Sequence, residues 1–342
     1  MKRALITGML GQDGSYLAEL LLEKGYEVFG FVRPETRHRF NLSSHLAGKV
    51  RLLFGNIVEP VDVTAALQES CPDEIYNLAS LSRPGESWAS VAEVLNVNGT
   101  GAVRLFEAAR HVCPSARIYQ ASSSEMFGRS DLATQHEATP FNPSNPYAAS
   151  KAYAHHMARI YRDAYHMFIA SGILFNHESE RRPSGFVTQK LTYGAACALL
   201  GIKNSPDLNE RGNPVVADGF LALGNLDIAR DWGHASDYVR AMWLMLQQDQ
   251  PDDFVIGTGV LRTLRQLCQI AYEHVGLDWQ SYVVSDPALV RPLEAGQALA
   301  DASKARRILN WQPTISFEQM VGQMVDAQVM RLRSIQQSQK QQ

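Results

Sequence analysis

The chain has 342 residues, 45% of them apolar and 20% charged, with a formal net charge of −3. That length suits about two domains or one large α/β unit, with the composition of an ordinary globular protein. There is no basic surplus to neutralise phosphates, which argues against nucleic acid, and no run approaches the ~18 apolar residues of a membrane span. Cys71, Cys113, Cys197 and Cys268 stand far apart, so neither a metal site nor a disulfide framework is expected. The opening Met-Lys-Arg-Ala-Leu-Ile-Thr-Gly lacks the apolar core of a secretory leader. A cytoplasmic, enzyme-sized protein is the expectation.

In chain order, short apolar runs at Ala4–Thr7, Glu27–Val32, Val50–Phe54, Glu74–Ala79, Ala116–Ala121 and Phe168–Phe175 predict buried parallel strands. Between them, Ser15–Lys24 places Leu17, Leu20 and Leu21 on one helical face, and a second helix covers about Gly99–Arg110. Strands alternating with helices predict an α/β fold with a Rossmann-type, doubly wound parallel sheet. After Phe175 the rhythm changes: a polar stretch leads to a helix near Phe186–Leu200, then Lys203–Gly219 reads as a solvated loop. Further helices are predicted at Ser236–Gln248, Thr263–Val275 and Phe317–Arg333. The predicted organisation is a dinucleotide-binding domain at 1–175, with 227–258 returning to it. Residues 176–226 and 259–335 form a smaller α/β substrate domain, and 336–342 a polar, frayed tail.

The first strand runs into Gly8-x-x-Gly11-x-x-Gly14 and a helix. Gly8 permits the tight turn, Gly11 lets backbone approach a pyrophosphate, and Gly14 lets the helix close on the sheet. The second strand ends at Arg33, where an NAD-binding fold carries an acid; with Arg37 and Arg39 it suits the 2′-phosphate of NADP. A solvated basic turn is the alternative. Asn56 could meet an adenine edge or cap the next helix, and Leu78 and Ala79 would lie along the cofactor's middle.

Tyr147 and Lys151 stand four apart, on one helix face. Positive charge beside the phenol would lower its pKa from ~10, giving a base for a hydroxyl proton. The fifth strand ends in Ser122-Ser123-Ser124-Glu125 at the usual place for substrate groups. Glu125 is placed for acid/base work, although a surface glutamate would look the same alone.

Taken together, the glycine turn, S-S-S-E-M-F-G (Ser122–Gly128) and Y-x-x-x-K resemble the extended short-chain dehydrogenase/reductase superfamily. Five blocks resemble its GDP-mannose 4,6-dehydratase family: Thr7–Glu19, Gly172–Ser179, Phe186–Lys190, Gly224–His234 and Val290–Pro292. The resemblance implies a redox-neutral lyase acting on a GDP-hexose, with NADP in preference to NAD, in a homodimer or homotetramer. Tyr147 would take the C4 hydroxyl proton during oxidation at C4. Glu125 would take the C5 proton and help water leave C6, and hydride would return to C6. Ser123, a threonine in the family, would orient the C4 oxygen, and Lys151 would hold the nicotinamide ribose. Gln12, Asp13 and Ile57 join the implied cofactor contacts. Ser82, Asn176, Val187, Lys190, Arg230, Arg291 and Glu294 are the implied substrate contacts; for Arg230, an internal pair with Asp231 is the alternative.

The chain departs from that family at Leu81, Arg83 and Pro84, where it has Gln, His and Val. It also departs at Arg33–Thr36, at Gln189 (usually Arg) and at Leu293–Gly296. A 4,6-dehydratase of another nucleotide-linked hexose or heptose therefore stays open. So does a 4-keto-sugar reductase or epimerase, whose members keep Ser or Thr, Tyr and Lys but generally lack the carboxylate at Glu125. A non-catalytic NADP sensor would have no need of both Tyr147 and Lys151.

Overall fold

The computed structural model describes residues 1–36, 46–130, 132–209, 211–289 and 298–340. Arg37, Arg39, Arg291 and Glu294 lie outside them. The first half builds β1 (Arg3–Thr7), α1 (Gln12–Glu23), β2 (Glu27–Val32), β3 (Arg51–Phe54), α2 (Pro60–Ser70) and β4 (Glu74–Asn77). Next come α3 (Val91–Val94), a π-helical turn (Leu95–Thr100), α4 (Gly101–Val112), β5 (Arg117–Ser123), α5 (Pro146–Tyr165) and β6 (Ile169–Leu174). With the later β11 (Asp253–Ile256) they form a seven-stranded sheet ordered β11-β6-β5-β4-β1-β2-β3, every pairing parallel. The strands are apolar because helices cover both faces. α1, with α7 (Ala235–Met245) and α9 (Ser303–Leu309), closes one core around Trp311 and Tyr238; α2, α4 and α5 close the other around Phe29 and Phe106. Chain order reverses between β1 and β4, and such a switch point leaves a crevice at the carboxyl ends of the strands.

The remaining elements are β7 (Asn176–Glu178), α6 (Val187–Leu199), β8 (Val216–Ala217), β9 (Phe220–Leu223), β10 (Ala229–His234), β12 (Leu261–Thr263), α8 (Leu264–Glu273), β13 (Val283–Ser285) and α10 (Phe317–Lys340). They make two three-stranded sheets, β12-β10-β7 and β13-β9-β8, around a separate core of Leu191, Leu221, Leu267, Tyr272 and Val321. Buried Asp231 on β10 accepts from the amides of Thr258, Gly259 and Ala300 at 2.8, 2.8 and 3.2 Å, which ties this half to the segment following β11. Among the described residues no helix is long and apolar enough to cross a membrane.

Lys203–Gly219 is a largely exposed loop, as expected, anchored at Ser205, whose backbone and hydroxyl both bond Val216, and at β8, which pairs with β9. Two expectations need correction. The tail from 336 is helical through Lys340, because α10 continues without a breaker. The helix expected from Gly99 begins at Val91 and carries the π turn, a common form of distortion near functional sites.

Candidate active site

Gly8 has φ +71°, a conformation that costs glycine little, and a Cβ there would meet the Ala79 backbone at 3.0 Å. A Cβ on Gly14 would lie 2.5 Å from Met9 Cα, so this glycine lets α1 sit against the turn. Gly11 differs. It begins α1 with no side-chain cap, and a Cβ there would meet only the Gly8 carbonyl, at 3.3 Å. The first-turn amides of α1 are therefore open to an anion. Thr7 Oγ1 accepts from the amides of Leu78 and Ala79, both at 3.0 Å, and donates to Asn77 Oδ1 at 2.8 Å. Asn77 in turn donates to Gln120 at 2.8 Å. This buried chain of side chains aligns the ends of β1, β4 and β5.

One cleft at those strand ends brings together Asp13, Leu78, Ser82, Ser123, Glu125, Tyr147, Lys151 and Asn176 from the sequence-predicted set. Arg33 is exposed at the end of β2. Asn56 Oδ1 accepts from the Val58 amide at 3.2 Å within its own loop and does not cap α2, whose N-cap is Glu59 with no side-chain bond, while Ile57 is buried. Val187 and Lys190 lie in the first turns of α6, and Arg230 lies on β10 with Nη1 donating to Ala229 O at 2.9 Å; none of the three lines the cleft.

Glu125 is fastened at two points. Its amide donates to Ser123 Oγ at 3.3 Å, and its Oε2 accepts from Asn145 Nδ2 at 3.0 Å. Asn145 also caps α5, with Oδ1 accepting from Ala148 N at 2.8 Å, and Pro146 occupies the first helical position. The carboxylate is thus coupled to the helix carrying Tyr147. Lys151 Nζ donates to Ala121 O at 3.0 Å and lies 5.8 Å from the Tyr147 ring centroid.

Burial governs the titration of this pair in the protein alone. Burial raises Tyr147 to about 12; the Ser123 hydroxyl works against that and the Glu125 charge adds to it. Burial likewise lowers Lys151 to about 8, with Asp13 opposing. Desolvation favours the neutral form of each group.

Reading the sequence missed several cleft residues. His177 Nε2 bonds Asp13 Oδ2 at 2.8 Å and its ring stacks on Tyr238, centroids 4.5 Å apart. Burial alone would raise Asp13, but the His177 charge and hydrogen bond hold it at about 2; His177 itself is raised, burial opposing and Asp13 prevailing. Gln12 spans the same junction, donating to Asp13 Oδ1 and His177 O and accepting from Ser179. Arg182 lies 3.6 Å above the Phe186 ring and pairs with buried Glu178 at 3.2 Å. Asn98, on the π turn, accepts from Leu81 N at 2.8 Å and donates to Ser150 Oγ at 3.2 Å, supporting the cleft wall and α5 together. Gln12 was among the implied cofactor contacts and the Gly172–Ser179 block contains His177, but nothing in the sequence paired His177 with Asp13.

The family model described as GDP-mannose 4,6 dehydratase matches residues 5–324. GDP-mannose 4,6 dehydratase 1 of Arabidopsis thaliana is 42% identical over 337 residues, covering 95% of this chain and 89% of that protein. The GDP-mannose 4,6 dehydratase of Cricetulus griseus is 39% identical over 360 residues, covering 97% and 93%. A dTDP-glucose 4,6-dehydratase from Streptomyces venezuelae, solved with NAD bound, superposes with a TM-score of 0.79 at 24% identity, covering 95% of this chain and 96% of that one, and shares the fold. The family match runs over nearly the whole chain, and relatives about 40% identical cover almost all of it: this chain belongs to the GDP-mannose 4,6-dehydratase family.

Proposed function

We propose that this cleft converts GDP-mannose to GDP-4-keto-6-deoxymannose, using NADP. The observation that carries the reading is that Glu125 and Tyr147 face one cleft and are coupled through Asn145. A dehydrogenase needs the tyrosine; elimination of water needs a carboxylate as well. When bound, the oxidised nicotinamide supplies hydride acceptance from C4 and hydride return to C6.

Tyr147 takes the C4 hydroxyl proton while Ser123 orients that oxygen. Its raised pKa in the protein alone means that the positive charge of the bound nicotinamide, added to that of Lys151, must make the phenol a base near neutrality. The C4 ketone acidifies C5. Glu125 removes the C5 proton, the C6–O bond breaks, and the departing hydroxyl receives that proton from Glu125 and leaves as water. C5 is reprotonated when hydride returns to C6, which balances the proton Tyr147 took from the C4 hydroxyl.

The proposed cofactor contacts are Gly8, Gly11, Gln12, Asp13, Gly14, Asn56, Ile57, Leu78, Ala79 and Lys151, with Arg33 on the 2′-phosphate. The absence of an acid at the end of β2 and the exposure of Arg33 there support NADP over NAD. Ser82, Asn176, Val187, Lys190 and Arg230, together with Arg291 and Glu294 outside the described residues, are the proposed nucleotide-sugar contacts. In this division 1–175 and 227–258 hold the cofactor, 176–226 and 259–335 hold the substrate, and the protein works as a homodimer or homotetramer.

The test uses GDP-mannose carrying deuterium at C4. The expected product is lighter by one water, with the label at C6. No product would refute the substrate, and label lost to solvent would refute internal hydride return.

A further inference from the structure

Three consecutive residues of β5 hold three residues of α5 spaced by four. Ala121 O accepts from Lys151 Nζ at 3.0 Å, Ser122 Oγ bonds His155 Nδ1 at 2.9 Å, and Ser123 lies beside the Tyr147 phenol. The outer two fastenings involve groups already placed in the reaction. The Ser122–His155 contact does not, yet both residues are buried, at 4% and 6% exposure. Behind His155, its Nε2 lies 3.6 Å from Asp253 Oδ2, and Arg162 holds Asp253 through two bonds of 3.1 Å.

We propose that His155 is a positioning residue for the dehydratase reaction: the Asp253 carboxylate, 3.6 Å from Nε2, favours the proton there by its charge, so Nδ1 accepts the Ser122 hydroxyl and locks α5 against β5. The inference rests on the function proposed above. The surroundings favour this arrangement. Burial lowers His155 to about 4, with Asp253 opposing and His156, Arg162 and Arg159 adding to the shift, so the imidazole is neutral near pH 7. A neutral ring has one N–H, and the only carboxylate facing it within this cluster is Asp253, itself held ionised by Arg162 against its burial. Phe141 packs edge-on against the ring at 5.0 Å. Nδ1 is then left as an acceptor. Without this lock the helix can shift along the strand, and displacements near 1 Å can cost about 100-fold in rate.

Ser122→Ala and His155→Phe should each lower kcat for GDP-mannose about tenfold while leaving KM within about twofold. The double variant should be no slower than either single one, because both remove one contact, and His155→Asn, which can still accept from Ser122, should recover most of kcat. Single variants within twofold of the parent, or additive losses, would overturn the proposal. Nitrogen-15 spectra of the imidazole serve as a second readout that needs no turnover. They should show one neutral tautomer protonated at Nε2 down to pH 5, with the Nδ1 resonance moved in Ser122→Ala. An Nδ1-protonated ring, or a resonance indifferent to that substitution, would overturn the proposal even if GDP-mannose were not the substrate.

Discussion

Two buried acid–base pairs line the same cleft and titrate in opposite senses. Tyr147 and Lys151 are moved toward their neutral forms, to about 12 and about 8. Asp13 and His177 are moved toward their charged forms, Asp13 to about 2 and His177 upward. Burial pushes all four toward neutrality, so burial does not separate the pairs. Contact does: the carboxylate touches its imidazole at 2.8 Å, whereas the ammonium stands 5.8 Å from the centre of the phenol ring. Attraction that overcomes desolvation needs contact distance and shared hydrogen bonds. One pair is a completed structural clamp between α1 and β7, and the other waits for charge brought by its ligands.

The largest expected effect tests the reactive side. Glu125→Gln preserves shape and the bond from Asn145 but cannot take a proton, so kcat for dehydration should fall about 100- to 10,000-fold. Calorimetry should show cofactor affinity unchanged; near-normal turnover would remove Glu125 from the role given it here.

Breaking the clamp comes next. Asp13→Asn leaves His177 facing an amide and should cost about 2–4 kcal/mol, read by urea unfolding. The pH dependence follows from the directions of the two shifts. Asp13 is held below its ordinary value of 3.8, so its contribution is full above that value and is lost as pH falls through about 2. His177 is raised, so its contribution is full below its ordinary value of 6.5 and fades as pH rises through its elevated value. The stability difference between parent and variant should therefore peak between about pH 4 and 6.5, and a difference that grows toward pH 9 would contradict the clamp.

Arg33→Ala probes an exposed charge at the end of β2. It should weaken NADP⁺ binding about tenfold, as loss of one charge-assisted contact does, and leave NAD⁺ unchanged. Equal losses for both cofactors would show that Arg33 does not read the 2′-phosphate.

The smallest effect has the opposite sign. Burial of the Lys151 ammonium is a cost in the folded state, so Lys151→Met should raise stability at pH 7 by about 0.5–2 kcal/mol while abolishing activity. In the parent, stability should rise with pH from about 8 toward 10.5, where the unfolded chain binds more protons than the folded one. A parent whose stability falls over that interval would mean the lysine is not desolvated.

Much of this was legible in the residues because it is local. Gly8, Gly11 and Gly14 act within one turn, and Tyr147 and Lys151 lie one helical turn apart. Glu125 follows its strand by two residues. The pairing of Asp13 with His177 joins residues 164 apart, and no periodicity carries such information. Asn98 was hidden for a related reason: its work depends on a π turn, which composition does not announce. The Lys203–Gly219 stretch reads as a loop and is largely exposed, but that Ser205 bonds Val216 and so anchors it to the second core depends on contacts eleven residues apart.

The sequence by itself determined the alternation of strands and helices, the glycine turn and the family to which the chain belongs, since these depend on side-chain types at short spacings. The tertiary structure alone decided which groups share the cleft, how Asn145 and His155 fasten the reactive helix, and which protonation states prevail. Those depend on desolvation and on distances between segments far apart in the chain, and both exist only once the two halves have packed.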